Sequence, residues 1–428
     1  MLWFVAPAFA ATLSVGPSGE FAAPCDAIAA AEAGDTIEVD AAGDYAGDSC
    51  AWSTDNLTIR GVNGQPVLDG TGAAMAEQKG IFVIHAEHAT VENLAFIGAA
   101  VGDDNGAGIR HQGTDLVVDG CLFRDNQNGI LGSPITDGTG SVSITRSEFD
   151  HNGAGDGYSH NIYLGHYASV TMRASYSHRG NVGHLFKSRA LINVIEASRL
   201  SDESGGAASY EIDLPNAGEA WIVGSIVEQV ATTQNSGMIA YGEESSGINP
   251  ALDLHIVNST LINHHDRGTF LGIGADVSTP VDVVNTLFVG PGTLSSQAAA
   301  QFTTSWDDSQ GDARLADPAN LDAHLQPDSP CVDAGTEPPQ HPPDAEYAHP
   351  ANEIPRGVAN GSWDIGAYEF GNPGVADEGG GDTSSDTSSD TSDTSEPSAQ
   401  DCGCASAVLP GVLPLVLAWW AVRARRRG

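Results

Sequence analysis

The chain has 428 residues, 41% apolar and 17% charged, with 51 Gly, 22 Pro and 7% aromatic residues. That apolar fraction is ample for a core and excludes a wholly disordered chain, while the abundance of glycine excludes a coiled coil or helical bundle. Fifty-six acids against 15 Arg and 2 Lys give a net charge of −39, which excludes nucleic-acid binding through a basic surface.

A single compact core rarely exceeds roughly 250–300 residues, so the chain is either multi-domain or an elongated repeat. Residues 1–10 are apolar and end in Ala8-x-Ala10, the pattern of a secretory h-region and cleavage site. Segment 1–11 therefore reads as a signal peptide, shortened because it lacks a basic start; the alternative is an apolar first strand. Cys25 and Cys50 flank one short segment and are expected to pair as a disulfide in an oxidising compartment. The intervening CDAIAAAEAGDTIEVDAAGDYAG (25–47) reads as a short helix and then a strand. It resembles the N-terminal cap of pectate-lyase-like β-helices.

From residue 91 to 288 one pattern recurs: a β-branched residue, a small residue or Asn, then an aromatic or aliphatic one. Its members are VENLAF, VDGCLF, ITRSEF, TMRASY, IEASRL, IVGSIV, IVNSTL and VVNTLF, ending at Phe96, Phe123, Phe149, Tyr176, Leu200, Val227, Leu261 and Phe288. Their spacings are 27, 26, 27, 24, 27, 34 and 27 residues. Short strands at this period, without helical periodicity, predict a solenoid in which stacked coils bury one continuous apolar column. The frame of a leucine-rich repeat is absent, and a propeller blade needs about 40 residues. The expected fold is all-β: a right-handed parallel β-helix over 12–327 with a short N-terminal capping helix and a cap segment at 328–370. The runs GAGIR, FRDNQNGI, HNIYLGH, YSHRGNVGHLFKSRA and SYEIDLPN resemble an abundant family of exported bacterial parallel β-helix repeat proteins. DSPCVDAGTE and WDIGAYEF resemble the terminal cap of such chains. Cys121 is expected in the core, Cys331 has no evident partner, and no Cys/His spacing reads as a zinc site.

Residues 157–195 contain no Asp or Glu but hold Arg173, Arg179, Lys187, Arg189, His160, His166, His178 and His184. An acid-free, base-rich belt across two or three coils suits an anionic ligand. Lys187 is one of only two lysines and, unlike arginine, can lose its proton, so it is the candidate general base; a plain surface salt bridge is the alternative. The segment VGHLFKSRALINVIEASRL resembles parallel β-helix alginate lyases and chondroitinase, which carry a Lys-Ser step at a strand end and an Arg one coil later. That resemblance implies that Lys187 removes the proton α to a uronate carboxylate, which Ca²⁺ or an Arg neutralises. One coil later this chain has Tyr210-Glu211-Ile212-Asp213 rather than Arg, and Arg189 lies only two residues from Lys187.

Stacked coils lie about 4.8 Å apart, so equivalent positions meet. With Ile162, Leu185, Ile212 and Ile239 taken as an inward ladder, Asn161, His184, Glu211 and Met238 form an outward one, and Tyr163, Phe186, Asp213 and Ala240 another. His184 then sits beside Glu211, with Lys187, Asp213 and Tyr210 at the same edge, an acid/base cluster. Glu211 and Asp213, with Glu243 and Glu244 a coil later, are alternatively ligands for Ca²⁺. A one-residue register error would turn these faces over. His160, Tyr163, His166, Arg173 and Tyr241 are expected to line the glycan site; Tyr176 is expected in the core by its repeat position.

Residues 371–401, rich in Gly, Ser, Thr and Asp, form an acidic linker unable to bury a core. Cys402-Gly403-Cys404, an apolar run and a terminal Arg cluster follow (402–428) and resemble the C-terminal sorting tail of myxobacterial surface proteins. The resemblance implies processing near Cys402 and Cys404 by sorting machinery, membrane attachment through the tail, and an outer-membrane or secreted location in a Gram-negative, myxobacterium-like host. The expected function is an exported monomeric polysaccharide lyase acting on an extracellular uronic-acid polymer, with a glycoside hydrolase as the second enzymatic possibility. Glycan binding without turnover and a structural or adhesive role are the other classes. Against a polyanionic ligand stands the body's own charge near −35, the difference between 13 bases and 48 acids outside the tail.

Overall fold

A computed structural model describes residues 10–133, 137–244, 247–358 and 361–372. The segments read as signal peptide (1–9 of 1–11), linker (373–401 of 371–401) and sorting tail, with Cys402 and Cys404, lie outside the described residues. No helix among the described residues is long and apolar enough to cross a membrane.

The chain forms a right-handed parallel β-helix of three parallel sheets, with 12, 10 and 10 strands. Each coil visits the first, second and third sheet in turn, and every neighbour within these sheets is the equivalent strand of the next coil. The repeat motif is the corner between the first and second sheets. Its small-or-Asn position is left-handed in all eight members: Asn93, Gly120, Arg146, Ala174, Ala197, Gly224, Asn258 and Asn285 have φ between 42° and 62°. Asn and Gly enter that region cheaply, whereas Arg146, Ala174 and Ala197 each cost about 1 kcal/mol that the stacked neighbours must offset. Directly after it, Ser147, Ser175, Ser198, Ser225 and Ser259 form a buried ladder. Each hydroxyl accepts the backbone N–H of the preceding coil at 3.1–3.3 Å and donates to a carbonyl two residues back.

The motif's final residues stack along the interior of the second sheet. Phe96, Phe123 and Phe149 lie parallel with ring centroids 5.1 and 4.7 Å apart. The column then runs through Ser177, Leu200, Val227, Leu261 and Phe288. Tyr176 is therefore not a member of the inner column: it pairs in register with Glu148 and Arg199 on the outer face. It is buried there instead by the C-terminal segment.

Helix Pro24–Ala30 closes the N-terminal end by burying Pro24, Ala27 and Ile28, and the expected Cys25–Cys50 disulfide ties it to the coil beneath. Cys121 and Cys331 are buried free thiols. After the last coil strand, Trp306–Asp307, the chain folds back along the outer face of the second sheet. There two hairpins, Leu315–Asp317 with Asp322–Leu325 and Ala345–Ala348 with Asn352–Pro355, and the stretch after them bring Leu315, Leu325, Tyr347, Ile365 and Tyr368 against Tyr176, Ile226, Ile262 and Leu287. An apolar outer face is incompatible with solvent, which is why this segment covers it.

Candidate functional site

On the third sheet the inward column reads Phe82, Ile109, Ile130, Ile162, Phe186, Ile212 and Ile239, and the outward column Val83, Arg110, Leu131, Tyr163, Lys187, Asp213 and Ala240. This register differs by one residue from the expected one at Leu185 and Phe186. Both side chains are buried, Leu185 at the bend and Phe186 on the strand, so the hydrophobic pattern alone does not say which one is the ladder member. As a result Lys187 replaces Phe186 in the outward column and stands between Tyr163 and Asp213.

Asp213 is the hub of this site. Its Oδ2 accepts from Lys187 Nζ at 2.6 Å and faces His184 Nε2 at 3.2 Å. Burial pushes the Asp213 carboxyl pKa up, but His184 and Lys187 outweigh it and hold the group below the usual carboxylate value. His184 stacks on His160, centroid to centroid 4.5 Å, and meets the Tyr210 ring at a tilt with centroids 5.4 Å apart. Its backbone N–H donates to His160 Nδ1 at 2.9 Å. Burial, reinforced by His184 and Lys187, holds the His160 pKa well below the ordinary value, so its ring is neutral with the proton on Nε2. Tyr163 has Lys187 Nζ 5.6 Å from its ring centroid and accepts a hydrogen bond from Arg189 Nε at 3.0 Å. Arg189 also donates to Asn216 at 2.6 Å and in bidentate fashion to Glu244 at 2.8 and 3.0 Å. Burial raises the pKa of both Tyr210 and Glu243.

Lys187, His184, Arg189, Tyr210, His160 and Tyr163 thus converge on one outward face. Other expectations are corrected. Glu211 does not pair with His184: it is fully buried with both carboxyl oxygens unpartnered, and the charges that act on it are Asp202 and Glu228. Glu211 is wholly enclosed, and Asp213 is already taken by two basic groups, His184 and Lys187. The donor set does not fit the ion. Two other groups do each offer three ligand atoms within 4.8 Å of one another: Asp55, Glu87 and His88, and Glu148, Asp150 and His178. In the second, Asp150 already accepts from Arg124, Arg179 and His151.

Tyr241 points inward and is buried, its hydroxyl donating to the Gly218 carbonyl, so it is a core residue. Arg173 lies on the first sheet, clamped by Glu196, Glu353 and Asp344 at 3.1, 2.7 and 2.8 Å, where it fastens the C-terminal segment. His166 is held by Asn249 at 3.0 Å. The acid-free belt is therefore acid-free only along the chain. In space its bases sit on three different sheets, and carboxylates one or two coils away or on the C-terminal segment neutralise Arg173, Arg179, Lys187 and Arg189. Asn216, which orients Arg189, was invisible in the sequence because it lies on a bend 27 residues away.

The misplaced Glu211 carries a prediction. Burial, with Asp202 as the strongest like charge upon it, pushes its pKa well above the ordinary 4.5, and burial lifts Asp202 to about 7. The folded state therefore holds protons that the unfolded state releases, so this stability is present below pH 4.5 and is lost as pH rises. Glu211→Gln removes the charge whose burial is penalised while keeping the shape of the side chain. In urea unfolding the variant is expected to be about 1–3 kcal/mol more stable than the parent at about pH 8 and nearly equal to it at about pH 4. A variant less stable at both would show that the carboxyl has a partner.

No family model matches the chain, and no curated protein matches it. A solved structure, the crystal structure of pectate lyase Pel9A, is similar with a TM-score of 0.61 and 14% sequence identity over 85% of this chain and 97% of that chain. At this identity the likeness establishes the fold, a pectate-lyase-like parallel β-helix.

Proposed function

We propose that the protein is an exported cell-surface polysaccharide lyase that cleaves a uronic-acid-containing glycan by β-elimination on the outer face of the third sheet. The carrying observation is the placement of Lys187: an amine in the outward column, flanked by a tyrosine ring on one coil and a carboxylate on the next, with a guanidinium beside it. In this reading Lys187 takes the proton from the carbon α to the uronate carboxylate. Arg189, exchanging exposed Glu244 for that carboxylate, stabilises the charge that develops. The electron pair forms the new double bond as the glycosidic C–O bond breaks, and the leaving oxygen takes a proton from Tyr163 or Tyr210. Asp213 and His184 position the amine. The partly buried Cys25–Cys50 disulfide supports an oxidising, extracytoplasmic compartment.

A specific observation favours glycan binding without turnover as the second reading: Lys187 and Arg189 are already paired, with Asp213 and Glu244. The test is incubation of residues 12–372 with alginate, pectate, hyaluronan and chondroitin, following the ultraviolet absorbance of unsaturated uronate. Product formation supports the lyase. Folded protein that binds one of these polymers and yields no product establishes the second reading in its place.

A further inference from the structure

Ten of the eleven arginines among the described residues have a carboxylate partner. Arg110 is the exception, in a chain with 56 acids. It is not a freely hydrated surface group either: it is partly buried, and its Nε is shielded from solvent without a hydrogen-bond partner. Burial lowers its pKa, and the field of the Asp103 carboxylate, which does not reach it as an ion pair, offsets that loss of water only in part. Such a cation is costly unless something completes it.

Its place in the fold indicates what that is. Arg110 belongs to the same outward column as Lys187, three strands towards the N-terminus, with Leu131 and Tyr163 between them. Three strand spacings put the two positions about 14 Å apart along the solenoid axis. A pyranose ring in an extended glycan is about as long as one coil is high, so a chain lying along this column presents a carboxylate to each position. Between them Tyr163, half-buried, offers a sugar face an aromatic floor, beside the largely buried Leu131.

We infer that Arg110 is an anion-recognition site for a second carboxylate of the glycan, about three sugar residues from the one at Lys187. The inference rests on the reading of the ligand as a polyuronate. Its test compares binding of di- and hexasaccharides of galacturonate and mannuronate by titration calorimetry, for the parent, Arg110→Gln and Arg110→Lys. The hexasaccharide spans both positions; the disaccharide does not. Arg110→Gln is expected to weaken hexasaccharide binding about ten- to hundredfold, leave the disaccharide unchanged and flatten the salt dependence, while Arg110→Lys recovers part of the loss. With polymer, the same variant is expected to raise KM at constant kcat. Unchanged hexasaccharide affinity in an Arg110→Gln protein that melts like the parent would overturn the inference, as would a parent that binds neither hexasaccharide. Turnover is read separately. Unsaturated product with no effect at Arg110 leaves the lyase and removes this site; hexasaccharide binding that depends on Arg110 without product leaves the site and removes the lyase.

Discussion

Exchanging Lys187 for arginine is expected to lower the rate of unsaturated-product formation as far as exchanging it for alanine, about 10²–10⁴-fold, with KM little changed. The two variants differ in what they preserve. Arginine keeps the positive charge, the contact with Asp213 and the cation over Tyr163, so it maintains any purely structural or substrate-binding role of the side chain. It cannot supply a lone pair at working pH, and removing the proton next to the uronate carboxylate needs one. Initial rates at saturating polymer, with circular dichroism as the folding control, read the difference. An arginine variant retaining a tenth or more of parental kcat would show that the charge at 187 matters and that the base lies elsewhere.

Arg199→Met is expected to destabilise the protein by about 3–5 kcal/mol and to release the C-terminal segment to protease. Arg199 is 1% exposed although it stands on the outer face of the second sheet, because the C-terminal segment covers it. It pairs with Glu228 and donates to the Leu321 carbonyl of that segment at 2.8 Å. Glu228 is itself buried and accepts from Ser201 and His264, each at 2.9 Å. Burial pushes the Glu228 pKa up, but His264 and Arg199 together hold it below the usual value. Without Arg199 a buried carboxylate loses its cation, and that loss rather than the pair itself sets the size of the effect. Because the Glu228 pKa is depressed, its stabilisation exists above the ordinary 4.5 and fades as pH falls, so the mutational deficit shrinks in acid. Arg199→Met combined with Glu228→Met should recover most of the stability. A single variant within 1 kcal/mol of the parent by denaturant unfolding, or a double variant no better than the single, would refute this account of the clamp.

Much of the architecture was legible in the sequence because a solenoid repeats its solution. The position before the buried serine must be left-handed in every coil, so Asn, Gly and small residues recur there at the coil period. Likewise Phe96, Phe123 and Phe149 announce the inner column, since each must stack on the last. The helix over Pro24–Ala30 and the Cys25–Cys50 pair could be read from purely local signals.

The site was legible only in composition. Lys187, His184, Arg189 and Tyr210 stood out as residue types, but their partners are set by register, and one residue of slip at Leu185–Phe186 exchanged Glu211 for Asp213 as the carboxylate beside His184. Arg110 drew no attention, because a missing counter-ion is a property of space and not of sequence. The sequence by itself determined that the chain winds into a β-helix, since backbone conformation at each corner and apolar period along the coil are local demands. Only the tertiary structure decided which charges meet. Stacking brings together residues 23–29 positions apart, and the returning C-terminal segment brings Arg173 to Asp344 and Glu353 across more than 170. Electrostatic partnership depends on distances of a few ångströms that the linear order does not encode.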